Sequence, residues 1–272
     1  MYDTHCHLTF DHYDEIRGAV LDRAVAAGVR GVITVSTTSD DALRTAELAA
    51  SDPRVWCTAG VHPLYSDQPV DWSVIRACAA RPRCVAWGEL GLDGHYDRPP
   101  KDVQLAVLTD HLEVIESARA DGIDKPVVVH CRKAFDALIP RLAESSIPPD
   151  RFVFHCFTGT PDNMRALLDF GASVSFTGVV TFGSAPEVRE AAKLVPDDRV
   201  MVETDAPFLA PEPHRKQFPN EPALVVHVAR TLAKVRGVDA SDFERTLDAN
   251  AERFFGLSPS PASTDDFPGV LT

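Results

Sequence analysis

The chain has 272 residues, is 44% hydrophobic and carries a formal net charge of −13. That is enough apolar material for a large core, and the acidic surface excludes a general attraction to nucleic acid. Any phosphodiester substrate would have to be drawn in by local arginines and bound cations.

The predicted elements alternate from end to end. The first strand is Met1-Tyr2-Asp3-Thr4-His5-Cys6-His7-Leu8. Strand side chains alternate, so His5 and His7 share one face with Asp3, and Cys6 takes the other. Two imidazoles so placed can hold one metal ion, with Asp3 orienting a ring from behind. Apolar periodicity and stop signals then predict helix 11–28, strand 31–36, helix 39–51, strand 55–61, helix 71–81 and strand 84–89. Helix 101–120, strand 126–130, helix 133–145, strand 151–155, helix 161–169, strand 172–176, helix 186–195 and strand 200–205 follow. Helices 221–236 and 241–255 close a single domain over 1–256. The Ser/Pro/Thr/Asp-rich remainder, 257–272, lacks apolar periodicity and is expected to be a C-terminal tail. Eight strands alternating with helices over roughly 250 residues predict an α/β fold, the (β/α)8 TIM barrel. A doubly wound sheet would need a Gly-rich phosphate loop after the first strand, and none is present.

No apolar run approaches ~18 residues and no charged n-region precedes one at the N-terminus, so neither a membrane span nor a signal peptide is expected. The six cysteines, Cys6, Cys57, Cys78, Cys84, Cys131 and Cys156, form no CxxC pair. Reduced thiols and a cytoplasmic location are therefore expected.

Polar residues fall at the C-terminal ends of five strands: His5 and His7, Glu89, His130, His155 and Asp205. A barrel gathers these ends on one face, where active sites are built. Four imidazoles and two carboxylates are ligands for one or two divalent cations. Glu89 can give one oxygen to each ion, with His5, His7 and Asp205 completing one and His130 and His155 the other. Cys6, Cys131 and Cys156 each follow one of these histidines, and alternation turns them toward the helices as packing. Arg132, two residues past His130, suits a phosphate. His62 is placed to bind substrate or leaving group, and Glu203 to orient a histidine. Asn220 and Glu221 are expected to cap the following helix. Asp205 can serve as general base beside its ligand role, so the catalytic pair is Asp205 and Glu89. Zinc, iron, manganese and cobalt suit four histidines, and magnesium prefers oxygen.

The motifs Asp3-Thr4-His5-Cys6-His7, Gly60-Val61-His62-Pro63, Gly88-Glu89-Leu90-Gly91-Leu92-Asp93, Val129-His130-Cys131-Arg132, His155-Cys156-Phe157-Thr158-Gly159, Glu203-Thr204-Asp205-Ala206-Pro207 and Asn220-Glu221-Pro222 occur in this order. Together they make residues 1–256 resemble the TatD family of metal-dependent deoxyribonucleases, among the amidohydrolase-like barrels. The resemblance implies a two-metal phosphodiester hydrolase, often a 3′-to-5′ exonuclease on single-stranded DNA. Beside it, no membrane partner and a monomeric state are expected, and the sequence names no protein partner. Three loops depart from the family pattern: Gly94-His95-Tyr96, Cys131-Arg132-Lys133-Ala134 and His214-Arg215-Lys216-Gln217-Phe218-Pro219. They spare the ligands and touch the substrate side. An alternative within the same barrels is hydrolysis of a small ester, lactone or phosphoester; many such relatives bridge their metals with a modified lysine where this chain has Glu89.

Overall fold

The structure is a computed structural model that describes residues 1–257. Its strands are β1 (Tyr2–Cys6), β2 (Gly31–Thr34), β3 (Val55–Ala59), β4 (Cys84–Asp93), β5 (Val127–Arg132), β6 (Phe152–Phe154), β7 (Ser173–Phe176) and β8 (Val200–Val202). Between and after them run α1 (Arg17–Ala26), α2 (Ser39–Ser51), α3 (Trp72–Ala79), α4 (Lys101–Ala120), α5 (Phe135–Ala143), α6 (Pro161–Phe170), α7 (Pro186–Ala192), α8 (Val225–Arg236) and α9 (Ala240–Phe255). Each strand pairs in parallel with the next, in the order β1 to β8. The ring closes at the C-terminal end: Cys6 bridges Ala206, the His7 N–H donates to the Ala206 carbonyl at 2.7 Å, and the Asp205 N–H donates to the His5 carbonyl at 2.9 Å. This is the (β/α)8 barrel that the alternation predicts. No helix among the described residues is long and apolar enough to cross a membrane.

Strands buried on both faces read as continuous apolar runs, and the two faces go to two cores. Val127, Val129, Phe152, Phe154, Val200 and Val202 pack outward against the helices. Tyr2, Ile33, Trp56, Val128, Val153 and Met201 fill the barrel interior, where Phe255 and Leu257 plug its N-terminal floor. Asp239 caps α9 by accepting the Ser241 and Asp242 N–H groups, and Gly256 ends it in the left-handed region. Asn250 Nδ2 donates to the carbonyls of Asp197 (2.6 Å) and Val200 (2.8 Å), fastening α9 to β8. Leu257, the first residue assigned to the tail, is thus buried in the floor. Residues 258–272 lie outside the described residues.

Several predicted boundaries shift, and two of the shifts matter. β4 runs four residues past its predicted end at 89 and reaches Asp93, and β8 stops at Val202, three residues short. In β1, Asp3 pairs with Val32 and Cys6 with Thr34, so three residues of β1 oppose two of β2. Such a bulge breaks the two-residue alternation. Tyr2 then faces the floor while His5 and His7 face the mouth, and Asp3 does not share their face as the unbroken alternation predicts. The Asp3 carboxylate instead accepts from the Thr204 N–H (2.9 Å), the Thr204 hydroxyl (2.6 Å) and the His5 N–H (3.3 Å), pinning β1 to the segment after β8. The expected caps at Asn220 and Glu221 are also absent. Asn220 Nδ2 donates to the carbonyls of Thr204 and Phe208, bracing that same segment, and Glu221 pairs with Arg23 at 2.7 Å.

Candidate metal centre

All six residues expected as ligands meet at the barrel mouth. Glu89 lies between them at 1% exposure. Its Oε1 is 2.8 Å from His130 Nδ1, 2.8 Å from His155 Nε2 and 3.2 Å from His62 Nε2. Its Oε2 faces the other way, 3.3 Å from His5 Nε2 and 3.9 Å from His7 Nε2. Asp205 Oδ1 completes that side, 3.4 Å from His7 Nε2 and 3.7 Å from His5 Nε2. Donor atoms of His5, His7 and Asp205 converge as one set, those of His62, Glu89 and His130 as another, and those of His5, His155 and Glu203 as a third; His155 also sits 3.2 Å from His130.

The far side of each ring decides what its near side offers. His7 Nδ1 lies 3.0 Å from the Val35 carbonyl, which can only accept, so its Nε2 presents a lone pair. His155 Nδ1 lies 3.2 Å from Glu203 Oε1, as expected for Glu203, and Ser175 and the Cys156 N–H hold that carboxylate in turn. His130 turns its Nε2 to Asp93 Oδ2 at 3.0 Å and its Nδ1 to Glu89. Asp93 was not among the residues picked from the sequence. Its signal was parity: once β4 continues, 89, 91 and 93 share a face, and Gly91 there lets the strands approach, since a Cβ would lie 2.0 Å from the His130 carbonyl oxygen. His62 differs from the other rings. Its Nδ1 accepts the Leu64 N–H at 3.0 Å, so a neutral His62 carries its proton on Nε2 and donates toward Glu89.

The electrostatics call for positive charge. Burial works to raise the Glu89 carboxyl, but His155, His62, His5 and the hydrogen bond from His130 together hold it well below its ordinary value. Burial likewise opposes ionisation of Asp205, and His7 and His5 outweigh it. Burial works to lower His155, and Glu89 with Glu203 overcomes it to push the ring well up. His62 is lowered to about 4 by burial and stays neutral. Paired imidazole nitrogens face each other at 3.2–3.3 Å, and Glu89 Oε2 is buried without a hydrogen-bond partner. Converging lone pairs with an orphaned carboxylate oxygen are the donor set of a divalent cation, so the residues present fit one.

A cavity of about 1030 Å³ opens over this centre, at the top of the roughly 300–1,000 Å³ range of ligand pockets. Arg132 lines it, with its guanidinium 5.4 Å from the Tyr96 ring centroid, and Lys101 and Lys133 line it beside Arg132. Cys6 and Cys131 pack into the outer core as expected. Cys156 does not: it lies past the end of β6 with φ 47°, is among the residues lining the cavity, and sets its Sγ 3.5 Å from Thr177 Oγ1. It shares the left-handed region with Lys133 and Asp205, each near a strand end at the mouth.

The profile of the family described as TatD related DNase matches residues 2–256. The chain belongs to the TatD family. It is 36% identical to the uncharacterized metal-dependent hydrolase YcfH of Escherichia coli over 96% of this chain and 97% of that one. It is 34% identical to the 3′-5′ ssDNA/RNA exonuclease TatD of Escherichia fergusonii, over 95% and 100% of the two chains. The crystal structure of YjjV, a TatD homologue of Escherichia coli, superposes with a TM-score of 0.87 at 27% identity, covering 95% of this chain and 98% of that one. The family read from the seven motifs is thus borne out, and so is the reading of a TatD-type metal-dependent hydrolase.

Proposed function

We propose that this TatD-family protein hydrolyses phosphodiester bonds of single-stranded nucleic acid from the 3′ end, using two divalent cations. The observation that carries this assignment is the placement of Glu89, with one oxygen among His130 and His155 and the other turned to His5, His7 and Asp205. His5, His7 and Asp205 would hold one cation, His130 and His155 the other, and Glu89 would touch both. When bound, such cations supply Lewis acidity to the phosphoryl oxygens and make water a better acid.

The protein's own groups do the rest. Asp205, ionised and lining the cavity, accepts the proton of the attacking water. The new bond joins the water oxygen to phosphorus, and the bond to the leaving oxygen breaks. His62 lines the cavity, and we assign its Nε2–H to a phosphoryl or leaving oxygen, for which it gives up its contact with Glu89. Arg132 pairs with a phosphate through its guanidinium fork. Asp93 and Glu203 hold the His130 and His155 rings. We also place the protein in the cytoplasm, in keeping with its six free cysteines, and take it to be a monomer.

The test is metal-stripped protein, with magnesium, manganese or zinc added back, acting on 5′-labelled single-stranded DNA beside Glu89→Ala. Shortening from the 3′ end that needs both metal and Glu89 is expected. Turnover of a lactone or carboxylic ester, with no cleavage of the oligomer under any metal, would overturn the assignment.

A further inference from the structure

The two ends of the donor cluster are bounded by walls of different chemistry. At the His5/His7/Asp205 end stand Phe10 and Phe208. Phe10 stacks on His7 (centroids 4.9 Å, planes 18° apart), and Phe208 meets Phe10 edge to face at 6.2 Å. The Phe208 N–H donates to the Asp205 carbonyl at 2.9 Å, which ties its place to that of Asp205. Both rings line the cavity, yet Phe208 is 44% exposed. The loop that carries it also carries Phe218, 60% exposed and edge-on to His12 at 4.9 Å. At the other end, Arg132 sits in register with Asp93, the partner of His130, beside Lys101 and Lys133. That wall bears charge; its exposed rings, His95 and Tyr96, meet edge to face at 4.7 Å, and Tyr96 lies under the Arg132 guanidinium.

Contiguous exposed apolar surface marks interaction sites, and Phe208 is joined to Phe10 in the cavity wall. Base faces stack on aromatic side chains in single-stranded nucleic-acid sites, and phosphates seek guanidinium and ammonium groups. Resting on the phosphodiesterase assignment above, we infer that Phe208, backed by Phe10, is the stacking ledge for an unpaired nucleobase beside the scissile phosphate, with the neighbouring phosphates lying over Arg132 and Lys133. A base paired in a duplex presents no free face to this ledge. The requirement for single strands therefore originates at Phe208, and the cations at the opposite wall fix the direction in which the strand lies.

The test compares wild type with Phe208→Ala, Phe208→Leu and Phe208→Trp on single-stranded oligomers. These are intact, or carry one abasic residue on either side of the scissile phosphate, in deoxyribo and ribo forms. Phe208→Ala should raise KM on the intact oligomer about 5- to 150-fold, the worth of one base–aromatic stack. On the oligomer abasic at the ledge position, wild type and variant should converge. Phe208→Trp should restore the loss and Phe208→Leu should not. Binding of an oligomer with 2-aminopurine at that position should quench its fluorescence in wild type and in Phe208→Trp, and not in Phe208→Ala. Equal losses on intact and abasic oligomers, or an unchanged KM, would overturn the ledge while leaving the phosphodiesterase assignment standing. A wild type that cleaves no oligomer with any metal would remove both.

Discussion

Glu89 is one carboxylate serving two groups of imidazoles, and three of these rings are aimed by a group behind them: Val35 for His7, Asp93 for His130, Glu203 for His155; His5 Nδ1 has no such partner among the described residues. Loss of such a partner typically weakens metal affinity or activity about 10- to 100-fold. Asp93→Ala is expected to fall in that range, measured by calorimetric titration of metal into the stripped protein. Asp93→Asn should lose less, since its carbonyl can still accept from His130. Wild-type affinity in Asp93→Ala would show that His130 is held without it. A second residue, His111, tests burial alone. It is fully buried on α4 beside Trp72, neither ring nitrogen has a partner among the described residues, and burial lowers it to about 3. The folded chain keeps this ring neutral while the unfolded chain protonates it below about 6.5, so its share of stability is intact above that pH and is lost on the way down to about 3. At pH 5 the loss is about 2 kcal/mol. In urea titrations at pH 5 and pH 7, His111→Leu should shrink the difference between the two by that amount; an unchanged difference would place the acid sensitivity elsewhere.

Among the elements, α9 does work that the site depends on without touching it. Phe255 enters the barrel floor from below, against strands whose other ends carry the candidate metal ligands. Phe255→Ala should cost about 3–5 kcal/mol, read by denaturant unfolding, with metal affinity kept at temperatures where the variant is folded. Loss of metal affinity in the folded variant would mean that floor and mouth are mechanically coupled. Most elements were legible from sequence because strands such as Val127-Val128-Val129 are apolar runs, and five of the eight strands lead to a chemically distinct residue, as this one does to His130. The bulge in β1 and the extension of β4 were not legible. A bulge leaves the composition unchanged and only moves side chains from face to face, so Asp3 was placed with the wrong neighbours and Asp93 was passed over. The proton on His62 Nε2 was equally hidden, because it is set by a backbone N–H two residues on, not by any side chain.

The whole molecule carries −13 charges and offers the substrate a small cationic wall. With Lys101, Arg132 and Lys133 as its phosphate contacts, a single-stranded oligomer should bind with a log–log salt slope near −2, from about −0.7 per contact. Anisotropy titrations at fixed metal and varied sodium chloride check this, and a slope near −5 would mean phosphate contacts well beyond the cavity. Slow, weakly steered encounter follows from the same charge, since the acidic exterior repels the polyanion until it reaches the mouth.

The closure of the barrel has a consequence for how the protein comes into being. His5 and His7 belong to the first strand, and Asp205 follows the last, held to them by the backbone bonds His7–Ala206 and Asp205–His5. The two histidines therefore gain their carboxylate only when the last strand of the sheet has been laid beside the first, and a fragment that ends before Asp205 lacks that corner of the cluster. Completion of the ring and assembly of this corner are one event.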